Sequence, residues 1–225
     1  DWCRRVRLNI NMTLTTRAAK NGEELDHSAT PISVEHLTLV SRALARHGTD
    51  EAAERKMAIS TLRSAAGRAG EAGLVNWEGM EYDLGFDCPF QEFLQLKTGK
   101  VKRIPFLPGK TRHLCWYLDT ADYLIGQRDR EIYNPDGPSF ILPYLAPPNS
   151  SGQKISGYLK DLVPGGSKTW AEVAVSELPS KISAGGIRPG ACNLLICSVP
   201  VEFAVQLTGH DCNGATSLFE YIDCT

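Results

Sequence analysis

No stretch of this chain approaches the 18 or more consecutive apolar residues that a helix needs to cross a bilayer. No charged-then-apolar leader opens it either. The expectation is an intracellular protein, cytoplasmic or nuclear, without a membrane-spanning helix. Neither charge sign dominates: 24 Lys and Arg oppose 26 Asp and Glu, for a net charge of -2. The total charge by itself does not point to nucleic acid, since a dedicated DNA-binding domain is usually basic. Seven cysteines form an odd set, and no two are spaced as Cys-x-x-Cys. That argues against a zinc ribbon or a disulfide framework, and for reduced, buried thiols. No internal repeat is visible.

What is present is a globular composition. Apolar residues make up 42% of 225, enough for one full core, or one domain with an extra segment. The chain begins at Asp1, which suggests a fragment or processed product. Residues 1–29 are polar and weakly periodic, with breaks at Asn21-Gly22 and Thr30-Pro31. They read as a linker or the tail of a missing upstream domain, with the main domain over 30–225.

Charge is patterned even though it sums to nearly zero. From Leu96 to His113 stand Lys97, Lys100, Lys102, Arg103, Lys110 and Arg112, without an acid. Acids gather at 21–26 and 119–136. Local cationic patches of this kind can hold phosphates on a chain of neutral total charge. A basic run alone is more often a solvated face.

Period-3.6 apolar spacing predicts a helix from Ser33, with Val34, Leu37, Val40 and Leu44 on one face and Gly48 at its end. Thr49 caps a second helix, with Asp50 and Glu51 in its first turn and Met57, Thr61 and Leu62 turned inward, to about Ala66. Residues 80–107 read as extended, with two strands flanking the turn Lys97-Thr98-Gly99-Lys100. Pro105 and Pro108 end the second. A helix is predicted over 111–125, burying Leu114, Leu118 and Tyr123, and a long loop over 129–152. Ile155 to Leu162 and Trp170 to Leu178 read as helices, and Ser198-Val199-Pro200 as the start of another.

The chemistry-bearing residues are widely separated. Metal-free cleavage of a phosphodiester needs a nucleophile, cationic donors for the non-bridging oxygens, and an acid for the departing oxygen. Tyr221 is a possible nucleophile. Arg68 and Arg188 suit a phosphate, since a guanidinium can bind two oxygens. His210 follows Leu207-Thr208-Gly209, and Lys97 sits in the hairpin turn.

These residues occur in patterns that resemble the catalytic domain of the tyrosine recombinases, the phage-integrase and Xer-type family. The family's first arginine stands in Arg-x-x-Glu followed by Leu-x-x-Trp; here Arg68 to Glu71 precede Leu74 to Trp77. Its lysine motif is similar to Lys97-Thr98-Gly99-Lys100-Val101-Lys102-Arg103-Ile104-Pro105, one residue longer before the arginine. Its second arginine begins a helix, as in Ile187-Arg188-Pro189-Gly190-Ala191. Its Leu-x-Gly-His is Leu207 to His210, and Tyr221 stands where its nucleophile follows. The Ser183-to-Ala191 run is closer in style to recombinases of eukaryotic mobile elements.

The resemblance implies a mainly α domain with a small antiparallel β-sheet of about three strands (α+β). It implies catalysis by Tyr221, Arg68, Arg188, His210 and Lys97, with Lys100, Lys102 and Arg103 contacting DNA. It implies double-stranded DNA as partner, assembly as a homo-oligomer on that DNA, and no metal or other cofactor. One departure stands out: the family places a histidine three residues before the second arginine, and here that position is Gly185. A catalytically impaired DNA-binding relative is therefore a second expectation. A helical interaction protein without a nucleic-acid role is a third.

Overall fold

The computed structural model describes residues 31–94, 99, 101–109, 111–129, 141–145, 148–198 and 204. Helix α1 spans Val34–His47 and α2 spans Asp50–Ala65. Both start as the sequence predicts. Ser33 Oγ accepts from His36 N at 3.2 Å, and Thr49 Oγ1 accepts from Ala52 N at 3.3 Å. Such N-caps satisfy amides that have no partner inside the helix. Between them Gly48 closes α1 at φ 68°, a left-handed value that costs a glycine little.

The two helices differ in burial. α1 hides one stripe, including Leu37, Val40 and Leu44. α2 is buried nearly all round, from Ala52 to Ala65, so it is the central helix. Its polar groups are paired accordingly. Arg55 meets Glu51 and Asp161 at 2.7 Å each and lies 4.1 Å from the Trp170 ring centroid. Lys56 meets the buried Asp119 at 2.8 Å. Thr61 Oγ1 accepts from Trp116 Nε1 at 3.1 Å.

A single turn, α3 (Ala69–Ala72), leads to a three-stranded antiparallel sheet in the order β1-β2-β3. Its strands are β1 (Met80–Asp83), β2 (Cys88–Leu94) and β3 (Val101–Pro105). Phe93 pairs with Lys102 and Glu92 with Arg103. Successive side chains on a strand point to opposite faces, so Lys102 and Arg103 part company. The inner face carries Phe93, which with Phe106 and Trp116 closes the core over the sheet; the Phe106 and Trp116 rings stack at 4.0 Å.

Three further helices complete the described part: α4 (Trp116–Asp129), α5 (Pro148–Asp161) and α6 (Ile187–Ser198). Three details depart from the sequence reading. Leu118 is 43% exposed, while Trp116 and Asp119 face inward instead. The stretch preceding α4 is a separate 3-10 turn, Arg112–Leu114, which shifts the helical phase by part of a turn. The loop predicted to 152 gives way to α5 at Pro148, where proline suits a first turn. Trp170 to Leu178 holds only the 3-10 turn Ala171–Val173. There the backbone breaks out so that Val175 N can donate to Leu162 O at 2.8 Å. The helix expected from Ser198 lies outside the described residues apart from its single residue Ala204, which is helical and buried.

Candidate functional site

The chain leaves α2 through a sharp turn. Ala66 adopts φ 44°, ψ 35°, a left-handed conformation that is uncommon for a residue with a Cβ. The carbonyls of Ala65 and Ala66 at this turn accept from side chains. Two cations from distant elements take them. Arg188 Nη1 on α6 donates to Ala66 O at 2.8 Å, across 122 positions of sequence. Lys102 Nζ on β3 donates to Ala65 O at 3.1 Å. A helix C-terminus carries partial negative charge, so cations are favoured there.

Arg68 follows immediately. Its backbone N–H donates to Glu71 Oε2 at 2.9 Å, and its Nη1 donates to Glu71 Oε1 at 3.0 Å. The Glu71 side chain is fully buried while that of Arg68 is 37% exposed. Glu71 thus grips the guanidinium from beneath and leaves part of it open to solvent. The spacing Arg-x-x-Glu serves this geometry, because residues three apart in a turn share one face.

The three cations affect one another. Burial pushes the Lys102 ammonium down to about 8, and the nearby charges of Arg188 and Arg68 add to the fall. Glu71 and Cys192 act in the opposite direction. Burial also raises the Cys192 thiol, which Arg188 and Lys102 partly offset. Arg68, Arg188 and Lys102 therefore belong to one electrostatic cluster, which includes the carboxylate of Glu71.

The other basic candidates divide between the sheet's outer face and positions outside the described residues. Arg103 is on the outer face, 3.1 Å from Glu81 and 3.8 Å from Asp83, with its guanidinium 4.4 Å from the Phe90 ring centroid. Lys97, Lys100, His210 and Tyr221 lie outside the described residues. Gly185 is exposed, within the 3-10 turn Ala184–Gly186 that runs directly into α6. His47 stacks on Trp170, with ring centroids 4.0 Å apart.

Two features of the site escaped the sequence. Lys102 reads there as one of a run of surface bases, yet the sheet register turns it onto the end of α2. Arg63 gave no motif signal. Its Nη2 donates to Leu114 O at 2.5 Å, and it lines a cavity of about 230 Å³ between α2, β3 and α6. No group of three or more potential metal ligands occurs among the described residues.

The fold is that of the tyrosine recombinase catalytic domain: a mainly helical body carrying a small three-stranded antiparallel sheet. Among solved structures it is similar to lambda integrase (residues 75–356) bound to DNA, at 16% identity and a TM-score of 0.60, covering 96% of this chain and 72% of that one. It is also similar to a lambda integrase dimer bound to a COC′ core site, at 17% identity and TM-score 0.59 over 89% of this chain. A third is XerH site-specific recombinase bound to difH substrate, at 14% identity and TM-score 0.55 over 85%. The chain spans about half the length of the last two, 49% and 50%. No family model and no curated protein matches the sequence.

Proposed function

We propose that this chain is the catalytic part of an enzyme that breaks and rejoins DNA strands through a tyrosyl-phosphate intermediate. The observation that carries the reading is the meeting of Arg68 and Arg188 at the end of α2. Two guanidinium groups far apart in sequence are gathered around one strained turn, each held by fixed hydrogen bonds. Preorganised cations of this kind stabilise charge that builds on a phosphorane without reorganising during reaction.

In this scheme the Tyr221 phenolate attacks a backbone phosphorus. The P–O5′ bond breaks, leaving a 3′-phosphotyrosyl link and a free 5′ hydroxyl. Arg68, Arg188 and His210 hold the non-bridging oxygens, and Lys97 gives a proton to the departing O5′. A 5′ hydroxyl from another strand then attacks the phosphotyrosine and releases the phenol, so no net bond energy is lost. The partner is double-stranded DNA, bound by a homo-oligomer, within the compartment that holds the genome. Lys100 and Lys102 add positive charge toward the phosphate, whereas Arg103 is engaged with Glu81 and Asp83 on the sheet's other face. A link to DNA integration and mobile elements follows from the motif style alone.

A nicked suicide duplex tests this, because loss of the short cleaved fragment traps the intermediate. A covalent protein–DNA adduct is expected, absent in Tyr221→Phe. It should form about a hundredfold more slowly or less in Arg68→Ala and Arg188→Ala. Gly185 favours a second reading, a DNA-binding relative with impaired catalysis. Salt-sensitive duplex binding without any adduct is the result that selects it.

A further inference from the structure

Lys102 has no role assigned beyond that of a backbone-contacting base, yet its setting is unlike that of a surface lysine. It projects from β3 beneath the end of α2, with Nζ 3.1 Å from Ala65 O and 5.7 Å from the Phe93 ring centroid. The neighbouring carbonyl, Ala66 O, is the one that receives Arg188. Consecutive carbonyls of one turn thus anchor two cations from two separate elements. The groups facing the ammonium are Arg68 and Glu71 from the turn after α2, and Arg188 and Cys192 from α6. Among the described residues, three cations share this space with the carboxylate of Glu71, which also engages Arg68.

A phosphate monoanion entering this cluster favours the charged form of each cation it meets, and a group whose charge is suppressed by burial and by its neighbours gains most. We propose that Lys102 is a positioning residue of the phosphate site: tied to Ala65 O, it braces the turn that aims Arg188, and it takes up its full positive charge as the DNA phosphate docks between Arg68 and Arg188. The idea rests on the DNA reading given above and adds to it a third, proton-coupled cation. Phosphate binding is then linked to uptake of one proton at Lys102. Because that ammonium is pushed down to about 8 in the free protein, the linkage is read at mildly alkaline pH.

The test is equilibrium binding of the whole chain to a fluorescent duplex, at fixed salt, from about pH 7 to about 9.5, with wild type, Lys102→Arg and Lys102→Met. Wild-type affinity should fall by up to about tenfold per pH unit above about pH 8. Lys102→Arg keeps its charge throughout, so that fall should disappear while affinity near neutrality is retained. Lys102→Met should bind about tenfold more weakly near neutrality, also without the alkaline step, while melting no lower than wild type. A purely structural lysine would instead leave the alkaline step intact in Lys102→Arg, and that result overturns the proposal. Neutral-pH binding by Lys102→Met equal to wild type overturns it as well. Should Lys102→Met fail to fold, the pH profile of Lys102→Arg decides alone. Absence of duplex binding by wild type at every pH sinks the DNA reading itself and Lys102's place in it. Binding that is lost in Arg188→Ala but keeps its alkaline step in Lys102→Arg sinks only the inference.

Discussion

A lysine held at about 8 by burial and by two arginines destabilises the free fold wherever it must be charged. The sign follows from proton counts. Below about pH 8 both folded and unfolded chains hold the Lys102 proton, and the folded state bears the full cost. Between there and the ordinary lysine value of 10.5 the folded state has released the proton and the unfolded state has not. Stability therefore rises with pH across that window. Lys102→Met removes this cost but also the bond to Ala65 O, so it should melt higher than wild type at neutral pH by an amount worth roughly 1–2 kcal/mol, and the difference should shrink above about pH 8. Thermal unfolding of both proteins at several pH values checks it; a lower melting temperature for the variant at neutrality would contradict it. Gly185 is a second residue whose effect is local. It is exposed and three positions before Arg188, so a side chain there projects from the turn that feeds the second arginine. Gly185→His should speed adduct formation on the nicked duplex by about a hundredfold, the value of one well-placed donor, with duplex affinity little changed. An unchanged rate would show that the missing imidazole is not what limits the chain.

Helix α6 delivers Arg188, and its seat depends on one contact. A Cβ on Gly190 would lie 2.0 Å from Ile32 O, so the helix approaches the entry segment to α1 as closely as a glycine allows. Ile32 N in turn donates to Gly186 O at 2.9 Å, which fixes the same crossing from the other side. Gly190→Ala cannot be absorbed by a flexible side chain, because the opposing atom is backbone. The helix must shift and carry Arg188 away from Ala66 O. We expect a loss of about 2–4 kcal/mol of stability by denaturant unfolding, together with adduct formation slowed at least tenfold. Loss of stability with unaltered adduct formation would show that α6 does not set the arginine's position. The contrast with α1 is instructive. Its caps and apolar stripe depend on neighbouring residues alone, so Ser33 and Gly48 announce its limits. The end of α2 carries an alanine where a glycine would be expected. The strain at Ala66 is sustained by Arg188 and Lys102, two partners remote in sequence.

Taken whole, the described molecule contains no helix long and apolar enough to cross a membrane. Its basic residues are sorted by the sheet rather than spread evenly. Lys102 is turned inward to the end of α2, while Arg103 is turned outward to Glu81 and Asp83. A near-neutral chain can thus concentrate positive charge where a phosphate is to bind. Motif order along the sequence was enough to name Arg68 and Arg188 as candidates, and residue spacing was enough to assign Glu71 to Arg68, since both are matters of short-range geometry. The small sheet and the two N-capped helices were legible for the same reason: local caps, alternation and turn residues act over a few positions. Lys102 was not, because a run of bases looks uniform until strand register assigns each one a face. Nor was the absence of a helix after Trp170, where a single hydrogen bond from Val175 to Leu162 outweighs local helical preference. Sequence alone therefore determined which residues could serve a phosphate, through their chemistry and order. Only the tertiary structure decided which of them share one site, because the carbonyls that gather them belong to a turn whose shape depends on contacts over a hundred residues away.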